Sequence, residues 1–233
     1  MTCGIVVALP EELATLTNRK LERGKCFSLS DEVLVVYAGA GPNNAANAAR
    51  LLLAKGADRL ISWGCAAALA PQLRSGQLVI ADRIFFDQQI YEADKCWSDK
   101  VISRLGEKLA VGNGNLVTET RIVALSEDKQ AIHRKTGAAA LDMESGAIAK
   151  VASESNLPCL VLRAIADPVT LDLPPAVSQA MNEQGQVELG KLLRHLALHP
   201  WEVPGLIKLG LHFRAAQKTL KTIAKHLNEI AIY

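Results

Sequence analysis

The stretch AAALDMESGAIAKVA (138–152) joins a short apolar run to an Ala-rich segment through two carboxylates. The apolar run predicts a buried strand that ends at Asp142, and the residues from Glu144 onward predict a buried helix. Acids at such a junction have two explanations. They cap the helix N-terminus, or they share one side of an extended chain where open α/β sheets bind ligands, beyond the strand ends. Residue type and position suggest a polar ligand with hydroxyl groups, and the capping explanation stays open.

The rest of the chain repeats this alternation of short β-rich runs and helical stretches. Predicted strands are 3–8, 33–38, 59–63, 77–82, 115–123, 138–142 and 158–166. Predicted helices are 11–20, 43–55, 98–109, 127–136, 144–155 and 175–198. This order predicts an α/β fold, a three-layer sandwich in which a mixed central sheet is flanked by helices.

Composition narrows the classes of protein to consider. A chain of 233 residues with 49% hydrophobic residues buries a substantial core in one large domain. The net charge of +2 is too small to indicate nucleic-acid binding. The five cysteines are scattered without a CxxC pair, which favours a reducing cytoplasm and no metal site. We see no charged-then-apolar leader and no apolar run of membrane-spanning length, and we expect a cytoplasmic protein.

A composition shift at HPWEVPG (199–205) divides the chain into a main domain, 1–200, and a C-terminal segment, 201–233. The segment is predicted to be an amphipathic helix with apolar residues at helical spacing: Leu206, Leu209, Phe213, Ala216, Leu220, Ile223, Leu227 and Ile230. One interpretation is a helix packed on the same domain or at a dimer contact. The other is a helix on an anionic membrane, with Leu209, Phe213 and Leu220 in the lipid interface.

The glycine-containing stretch YAGAGPNNAANAARLLL (37–53) joins a predicted strand to a helix and has some features of a dinucleotide site. Asn44 stands where the third glycine of that motif belongs, and Asp58 precedes the next strand instead of ending it. A dehydrogenase is therefore disfavoured. The loop is still suited to presenting backbone N–H groups to a polar group at the helix N-terminus.

Three other places carry candidate chemistry. Glu11 and Glu12 follow the first strand, and the stretch 61–82 contains a turn of small residues after a strand. Asp167 ends a buried strand, where desolvation raises a carboxyl pKa toward that of a general acid, although a turn-capping Asp explains it equally well. We expect Glu12 and Asp167 to converge on one pocket with the acids at 142 and 144. Such a set of acids is what cleavage of a glycosidic bond through an oxocarbenium-like state requires.

Four pieces of sequence carry a resemblance to a known family: GIVVALPEE (4–12), GCAAALAP with SGQLVIAD (64–82), LDMES (141–145) and RAIAD (163–167). Over residues 3 to 198 the chain resembles the purine nucleoside and uridine phosphorylase superfamily. Within it the chain is most similar to the methylthioadenosine/S-adenosylhomocysteine nucleosidases, and its C-terminal part resembles that of the hopanoid-associated phosphorylases. The resemblance implies cleavage of the N-glycosidic bond of a purine nucleoside, with a 5′-substituted, adenosylhopane-like adenosine as the expected substrate and adenine as a product.

The resemblance also implies roles for individual residues. Glu12 matches the acid that activates the attacking water, with Glu11 as the less favoured neighbour. Met143 and Glu144 match the residues that contact the ribose, and Asp142 matches a supporting acid. Asp167 matches the acid that protonates purine N7.

Further implied positions concern the base and the turn near the sugar. Ile122 and Val123 are expected to border the base. The turn near ribose or water is read as Gly64, Cys65 and Ala66, where Cys65 replaces a hydroxyl and alanines replace two family glycines.

The resemblance implies no cofactor, with phosphate as an alternative co-substrate. Glu12 favours water, and a phosphorylase needs cations near the anion, for which Arg163 and Arg83 are candidates. The expected partner is a small-molecule nucleoside and not a nucleic acid. We also expect a homo-oligomer such as a dimer, with a peripheral membrane contact as a further hypothesis. A nucleoside-binding protein without activity is the competing class.

Overall fold

The computed structural model describes residues 1–106, 109–180 and 189–231. The strands in these residues are β1 (Cys3–Val7), β2 (Cys26–Ser30), β3 (Val33–Tyr37), β4 (Arg59–Ala68), β5 (Leu78–Phe86), β6 (Gln89–Glu92), β7 (Val111–Thr118), β8 (Ala140–Asp142) and β9 (Cys159–Asp167). The helices are α1 (Pro10–Leu13), α2 (Pro42–Ala54), α3 (Lys95–Leu105), α4 (Ser126–Thr136), α5 (Ser145–Glu154), α6 (Pro175–Ala180), α7 (Leu189–Leu198), α8 (Val203–Ala224) and α9 (Leu227–Ala231). A 3-10 turn, Pro200–Glu202, precedes α8.

All of these strands belong to one mixed sheet. The strand order is β2-β3-β1-β4-β8-β7-β5-β6, and β9 pairs with both β4 and β5. Strands β1, β4 and β9 run parallel to one another, whereas β8 runs antiparallel to β4 and β5 antiparallel to β9. Because β9 bridges β4 and β5, the strands β4, β8, β7, β5 and β9 close into a ring. The predicted mixed α/β sheet is confirmed.

Helices cover both faces of the sheet, and β1 shows how the sequence achieves this. Val6 points into a core shared with α2 and α5. Its neighbours Ile5 and Val7 point into a second core shared with α3 and α8. Because successive strand residues face opposite sides, an unbroken apolar strand is the pattern expected of a buried central strand. The result is the three-layer arrangement that the sequence predicts.

Several element boundaries differ from the sequence prediction. The helix predicted at 11–20 ends at Leu13, and the strand predicted at 59–63 continues to Ala68. The strand predicted at 115–123 begins at Val111 and ends at Thr118. Strands β2 and β6 were not predicted, because half-exposed hairpin strands lack a continuous apolar run. Of the helix predicted at 175–198, both ends are helical, and 181–188 lie outside the described residues.

The C-terminal helix α8 packs on the sheet. Leu220 and Ile223 are fully buried in the same core as β9, and Phe213 packs against that core. The hypothesis that placed Leu220 and Phe213 in a lipid interface is therefore wrong for these two residues, because their face of the helix covers the sheet. Within the described ranges, no helix is both long enough and apolar enough to cross a bilayer.

Candidate active site

Glu12 lies in the first turn after β1 and is only 4% exposed. Its Oε2 accepts hydrogen bonds from the backbone N–H groups of Leu9 (3.1 Å) and Ala8 (3.3 Å). Its Oε1 accepts one from the backbone N–H of Cys65 at 2.7 Å. Burial raises the pKa of Glu12, although Arg163 and these N–H groups oppose the shift. Glu11 is exposed, so Glu12 is the one of the two acids that is buried next to β4.

The segment Gly64–Ala66 was predicted to be a turn and is instead the second half of strand β4. A side chain at Gly64 would place its Cβ 2.5 Å from Oε1 of Glu12 and 2.7 Å from Nη1 of Arg163. A larger residue here would force Glu12 or Arg163 to shift, so glycine is favoured for a steric reason and not because of a turn. An apolar run that continues through glycine and alanine gives no local sign of where the strand ends, which explains the error.

Arg163 on β9 is the centre of the first charged cluster. It is 2% exposed, and its Nε donates to Oδ2 of Asp142 at 2.7 Å. Its Nη2 donates to the Ser62 hydroxyl at 2.7 Å. We call Arg163, Glu12, Asp142 and Glu144 the Arg163 cluster, because all three carboxyl groups interact electrostatically with this guanidinium.

Asp142 ends β8 and is fully used by protein donors. Besides Arg163, it accepts from the Thr118 hydroxyl at 2.6 Å, from the backbone N–H of Ser145 at 3.0 Å and from the Ser145 hydroxyl. A carboxylate with this many partners holds its neighbours in place and has little capacity left for a ligand. The capping explanation is confirmed for Asp142, which binds the Ser145 N–H at the start of α5. For Glu144, which is turned elsewhere, the ligand explanation stays a prediction.

Glu144 is 8% exposed and is directed toward the loop before α2. Its Oε1 accepts a hydrogen bond from the backbone N–H of Gly41 at 2.9 Å. Gly41 has φ 95°, a conformation that favours glycine. Burial and the neighbouring Asp142 raise the pKa of Glu144 to about 7, against the opposing effects of Arg163 and the Gly41 N–H. The glycine loop thus presents an N–H to a polar group, as the sequence suggested.

Asp167 ends β9 at a second charged site. Its Oδ2 lies 2.5 Å from Nζ of Lys129, which reaches it from α4. Lys129 is fully buried, and its Nζ also donates to the carbonyl of Leu171 at 2.8 Å. Burial raises the pKa of Asp167, and Lys129 opposes the shift. We call these two residues the Lys129–Asp167 pair.

Cys65 connects the two charged sites. In the β4–β9 pairing Gly64 lies opposite Arg163, and Ala67 lies opposite Asp167 after an irregularity at Ala66. Burial raises the pKa of the Cys65 thiol well above its ordinary value, and Glu12 and Asp167 add to the shift. Both carboxyl groups therefore act electrostatically on this thiol. Glu12 and Asp167 flank one strand segment, as the convergence of strand ends predicts.

The remaining predicted residues surround this region to different extents. Met143 is half-buried between Asp142 and Glu144. Ile122 and Val123 lie in the loop between β7 and α4; Ile122 is half-buried and Val123 packs in a small cluster with Leu141. Their predicted roles at ribose and base stay predictions.

Arg163 and Arg83 are the two cations that the sequence offers for binding phosphate. Arg163 is already bonded to Asp142 and Ser62. Arg83 has a side chain that is 58% exposed on the β5–β6 hairpin, where it pairs with Glu92 at 3.8 Å. Neither arrangement resembles an anion site built for phosphate.

Sequence reasoning missed Lys129, Gly41 and Ser62 as parts of the site. Lys129 sits in a very polar helix, and a lysine there is normally read as a solvated surface residue. Its burial depends on the fold, since its partner Asp167 is 38 positions further along the chain. Gly41 was recognised as part of a loop, but its contact with Glu144 was not predicted.

Among the described residues, one group elsewhere combines metal-ligating side chains: His195, His199 and Glu202. Nε2 of His195 lies 2.9 Å from Oε1 of Glu202, and the backbone N–H of Ala176 donates to Oε2 at 2.8 Å. Nδ1 of His199 bonds the His195 carbonyl at 3.0 Å. These contacts give most of the polar atoms a hydrogen-bond partner. We therefore interpret the group as a hydrogen-bonded link between α6, α7 and the turn before α8.

A cavity of about 350 Å³ lies at the start of α2, lined by residues that include Arg23, Asn44 and Asn47. None of the buried carboxylates lines it. We place the functional site at the carboxylates, because chemistry requires reactive groups and volume alone supplies none.

The comparisons with known proteins identify the family and the fold. A family model described as the phosphorylase superfamily matches residues 2–197. The chain therefore belongs to the phosphorylase superfamily and is an enzyme with the nucleoside phosphorylase-like fold.

The individual relatives share 27% or less of their aligned residues with this chain. A 5′-methylthioadenosine/S-adenosylhomocysteine nucleosidase of Maridesulfovibrio salexigens is 27% identical over 216 residues, covering 79% of this chain and 93% of that protein. The solved structure of the Helicobacter pylori nucleosidase of the same name is similar with a TM-score of 0.71 and 18% identity, covering 98% of this chain and 97% of that one. Futalosine hydrolase of Helicobacter pylori is similar with a TM-score of 0.70 and 18% identity, covering 98% and 96%.

Proposed function

We propose that this enzyme hydrolyses the N-glycosidic bond of a purine nucleoside and releases adenine. The observation that carries the proposal is the pair of buried carboxyl groups with raised pKa, Glu12 and Asp167, on either side of the Cys65 strand segment. Hydrolysis of this bond needs a base for water and an acid for the departing purine, and the geometry offers one of each.

Glu12 is the proposed base. Three backbone N–H groups fix its carboxylate, so it reaches the transition state without reorganisation. Its raised pKa makes it a stronger base than an ordinary glutamate, because basicity increases with the pKa of the conjugate acid. In the reaction, water forms its bond to C1′ and gives a proton to Glu12.

The Arg163 cluster suits the charge that develops on the sugar. One guanidinium faces three carboxyl groups, so the cluster is negative when all three are ionised. An oxocarbenium-like transition state carries positive charge at C1′ and the ring oxygen, which a negative surface stabilises. Glu144 accepts hydrogen bonds from the ribose hydroxyls in this proposal, and Met143 packs against the sugar.

Asp167 is the proposed acid. The bond between C1′ and N9 breaks, its electron pair stays with the purine, and the Asp167 proton moves to N7. Adenine then leaves as a neutral molecule. Ile122 and Val123 border the base in this arrangement.

We favour water over phosphate as the nucleophile, because both candidate arginines already bind other groups. Arg163 is bonded to Asp142 and Ser62, and Arg83 pairs with Glu92 on an exposed hairpin. A phosphate entering beside Glu12 would meet carboxylates with no uncommitted arginine in the Arg163 cluster. Phosphorolysis is the alternative outcome of the test below.

The proposed substrate is an adenosine with a substituent at its 5′ carbon. Support comes from the names of the curated relatives, which are nucleosidases of 5′-methylthioadenosine and S-adenosylhomocysteine. Within that class we propose an adenosylhopane-like substrate, on the resemblance of the C-terminal segment to the hopanoid-associated group.

Such an apolar substrate would be met at a membrane surface, and the C-terminal helices offer a face for it. Trp201 is 70% exposed, and Ile207 and Leu211 on α8 are each 60% exposed. Lys208, which follows Ile207 in the chain, is also exposed. Large apolar side chains in solvent beside a basic residue are typical of a peripheral lipid contact. A homo-oligomer contact is the competing use of this face.

The test of the membrane contact is sedimentation with vesicles of anionic lipid at low and high salt. We expect salt-sensitive binding that is lost when Trp201, Ile207 and Leu211 are all changed to serine. Ile90→Ser, which alters an exposed residue on β6, serves as the control. Absence of binding at low salt, together with dissociation of a dimer by the triple variant, would assign the face to a homo-oligomer.

The test of the activity is incubation with 5′-methylthioadenosine and S-adenosylhomocysteine, with and without phosphate, followed by chromatography of the products. We expect free adenine and an unphosphorylated sugar in both conditions. A ribose 1-phosphate product that appears only with phosphate would identify a phosphorylase. Saturable binding without adenine release would identify a non-catalytic nucleoside-binding protein.

A further inference from the structure

Helix α4 buries a lysine where an amphipathic helix would bury an apolar residue. Of the eleven residues of α4, only Lys129 is buried, and its side chain is fully inaccessible to solvent. Removing an ammonium group from water is costly unless partners compensate it. The partners are Oδ2 of Asp167 at 2.5 Å and the carbonyl of Leu171 at 2.8 Å.

Stability alone does not account for this lysine. A buried ion pair is weak evidence for stabilisation, since apolar residues of similar volume often serve as well or better. The geometry at Asp167 points to a different reason. Among the described residues, Lys129 is the only donor to the Asp167 carboxylate, and Pro168 follows directly in the chain without an N–H to offer. Glu12, by contrast, is held by three backbone N–H groups.

The lysine bonds only one of the two carboxyl oxygens. Oδ2 is fixed by Lys129, whereas no described residue donates to Oδ1. A carboxyl group held in this way has one occupied oxygen and one that is available to a ligand. The lysine therefore orients Asp167, and it compensates the charge of this carboxyl group when Asp167 is ionised.

We propose that Lys129 is a positioning residue for the leaving-group acid, which it orients through Oδ2 and stabilises once the proton has passed from Oδ1 to purine N7. The inference rests on the proposed function. When the C1′–N9 bond breaks and N7 takes the proton, Asp167 becomes a carboxylate, and the Lys129 ammonium is already paired with it. The product state is then a buried ion pair and not an uncompensated buried anion.

The groups that face Asp167 determine the expected pH dependence. Lys129 approaches from α4, His212 from α8 and the Cys65 thiol from β4. Burial raises the Asp167 pKa, Lys129 lowers it more than His212 does, and the Cys65 thiol is neutral below its own raised pKa. Loss of the Lys129 charge leaves burial largely unopposed, so the pKa rises further and Asp167 becomes a weaker acid.

The test compares Lys129→Met with Lys129→Arg and with Lys135→Met, which removes an exposed lysine from the same helix. The readout is the pH dependence of kcat for adenine release from 5′-methylthioadenosine. For Lys129→Met we expect kcat to fall by about 10²-fold, the scale of misplacing a reacting group. We also expect the alkaline limb of the profile to move to higher pH. Lys129→Arg should keep the position of the limb, and Lys135→Met should match the wild type.

A second measurement does not depend on turnover. Carbon-13 NMR of aspartate-labelled protein, with the Asp167 resonance assigned by its absence in Asp167→Asn, reports the carboxyl titration directly. We expect the titration midpoint of Asp167 to move upward in Lys129→Met. An unchanged midpoint, or a shifted midpoint with normal kcat, would overturn the positioning role. Wild-type protein that releases no adenine would instead refute the proposed function, and the NMR titration would still decide whether Lys129 controls Asp167.

Discussion

The Arg163 cluster and the Lys129–Asp167 pair are both buried and both charged, yet they are built differently. In the Arg163 cluster one cation faces three carboxyl groups, and backbone N–H groups hold Glu12, Asp142 and Glu144. In the pair, one cation faces one acid, whose carboxylate is held by a side chain alone. The first arrangement is rigid and rich in carboxyl groups. The second depends on one lysine, and it is neutral only when Asp167 is ionised.

This difference matches two demands of glycosidic bond cleavage. The sugar develops positive charge, which a fixed surplus of carboxylates stabilises. The departing purine needs one proton at one atom, which requires a single acid with an adjustable pKa. Substitutions can remove these properties one at a time, and the effects expected of them range from loss of activity to a change in pH dependence.

The largest effect is expected for Glu12→Gln. The amide keeps the shape of the side chain but cannot accept a proton from water, so hydrolytic release of adenine from 5′-methylthioadenosine should be abolished. Chromatographic detection of adenine measures it, and Glu11→Gln, at the exposed neighbouring position, is the matched control. Recovery of the rate on adding phosphate would mean that the enzyme is a phosphorylase and that water activation is not the role of Glu12.

Asp167→Asn should lower kcat by about 10² to 10⁴-fold, the usual contribution of general acid catalysis. KM should change far less, because the amide still bonds the purine. Steady-state kinetics on 5′-methylthioadenosine provide both constants. Near-normal turnover in this variant would remove Asp167 from the mechanism and leave the Lys129–Asp167 pair as a structural feature.

The contrast between the two sites also shows what a sequence can and cannot predict. Glu12, Glu144 and Asp167 could be predicted as candidates because each lies at or just after the end of an apolar strand, and local order along the chain carries that information. Lys129 was not found, because its burial depends on a partner brought near by the closing of the sheet.

The fold, like the site, was predictable where local sequence carries the information and not where distant segments pair. The βα alternation gave the mixed sheet with helices on both faces. The continuation of β4 through Gly64 and the double pairing of β9 with β4 and β5 did not follow from the sequence. Both are set by strand pairing between segments far apart in the chain, for which periodicity gives no signal.

Gly64→Ala should disturb the Arg163 cluster without touching the Lys129–Asp167 pair. The added Cβ would lie 2.5 Å from Oε1 of Glu12 and 2.7 Å from Nη1 of Arg163. Overpacking of this kind costs about 1–3 kcal/mol of unfolding free energy. Gly112→Ala on β7 is the control, since its Cβ would meet only the Leu78 carbonyl oxygen, at 4.0 Å. Chemical denaturation measures both variants, and equal stabilities would mean that the close packing at Gly64 relaxes at no cost.

The smallest effect concerns the protonation of Glu144, whose pKa burial and Asp142 raise to about 7. An unfolded glutamate titrates near 4.3, so between these two values the folded protein binds more protons than the unfolded chain. The stability associated with the protonated side chain is fully present at pH below the unfolded value. It is lost as the pH rises through about 7. Ribose binding should have the opposite dependence, because sugar hydroxyls donate stronger hydrogen bonds to the ionised carboxylate than to the protonated carboxyl group.

Affinity for the nucleoside should therefore rise with pH and level off above about 7, with a slope of at most about tenfold per pH unit. Calorimetry of 5′-methylthioadenosine binding to Asp167→Asn, in two buffers of different ionisation enthalpy, measures the affinity and the proton released. Adding Glu144→Gln to that protein should remove most of the pH dependence and the proton release, since the amide does not titrate. Identical pH profiles with and without Glu144→Gln would show that the sugar does not bind this carboxylate. The negative charge of the Arg163 cluster would then act on the transition state only through space.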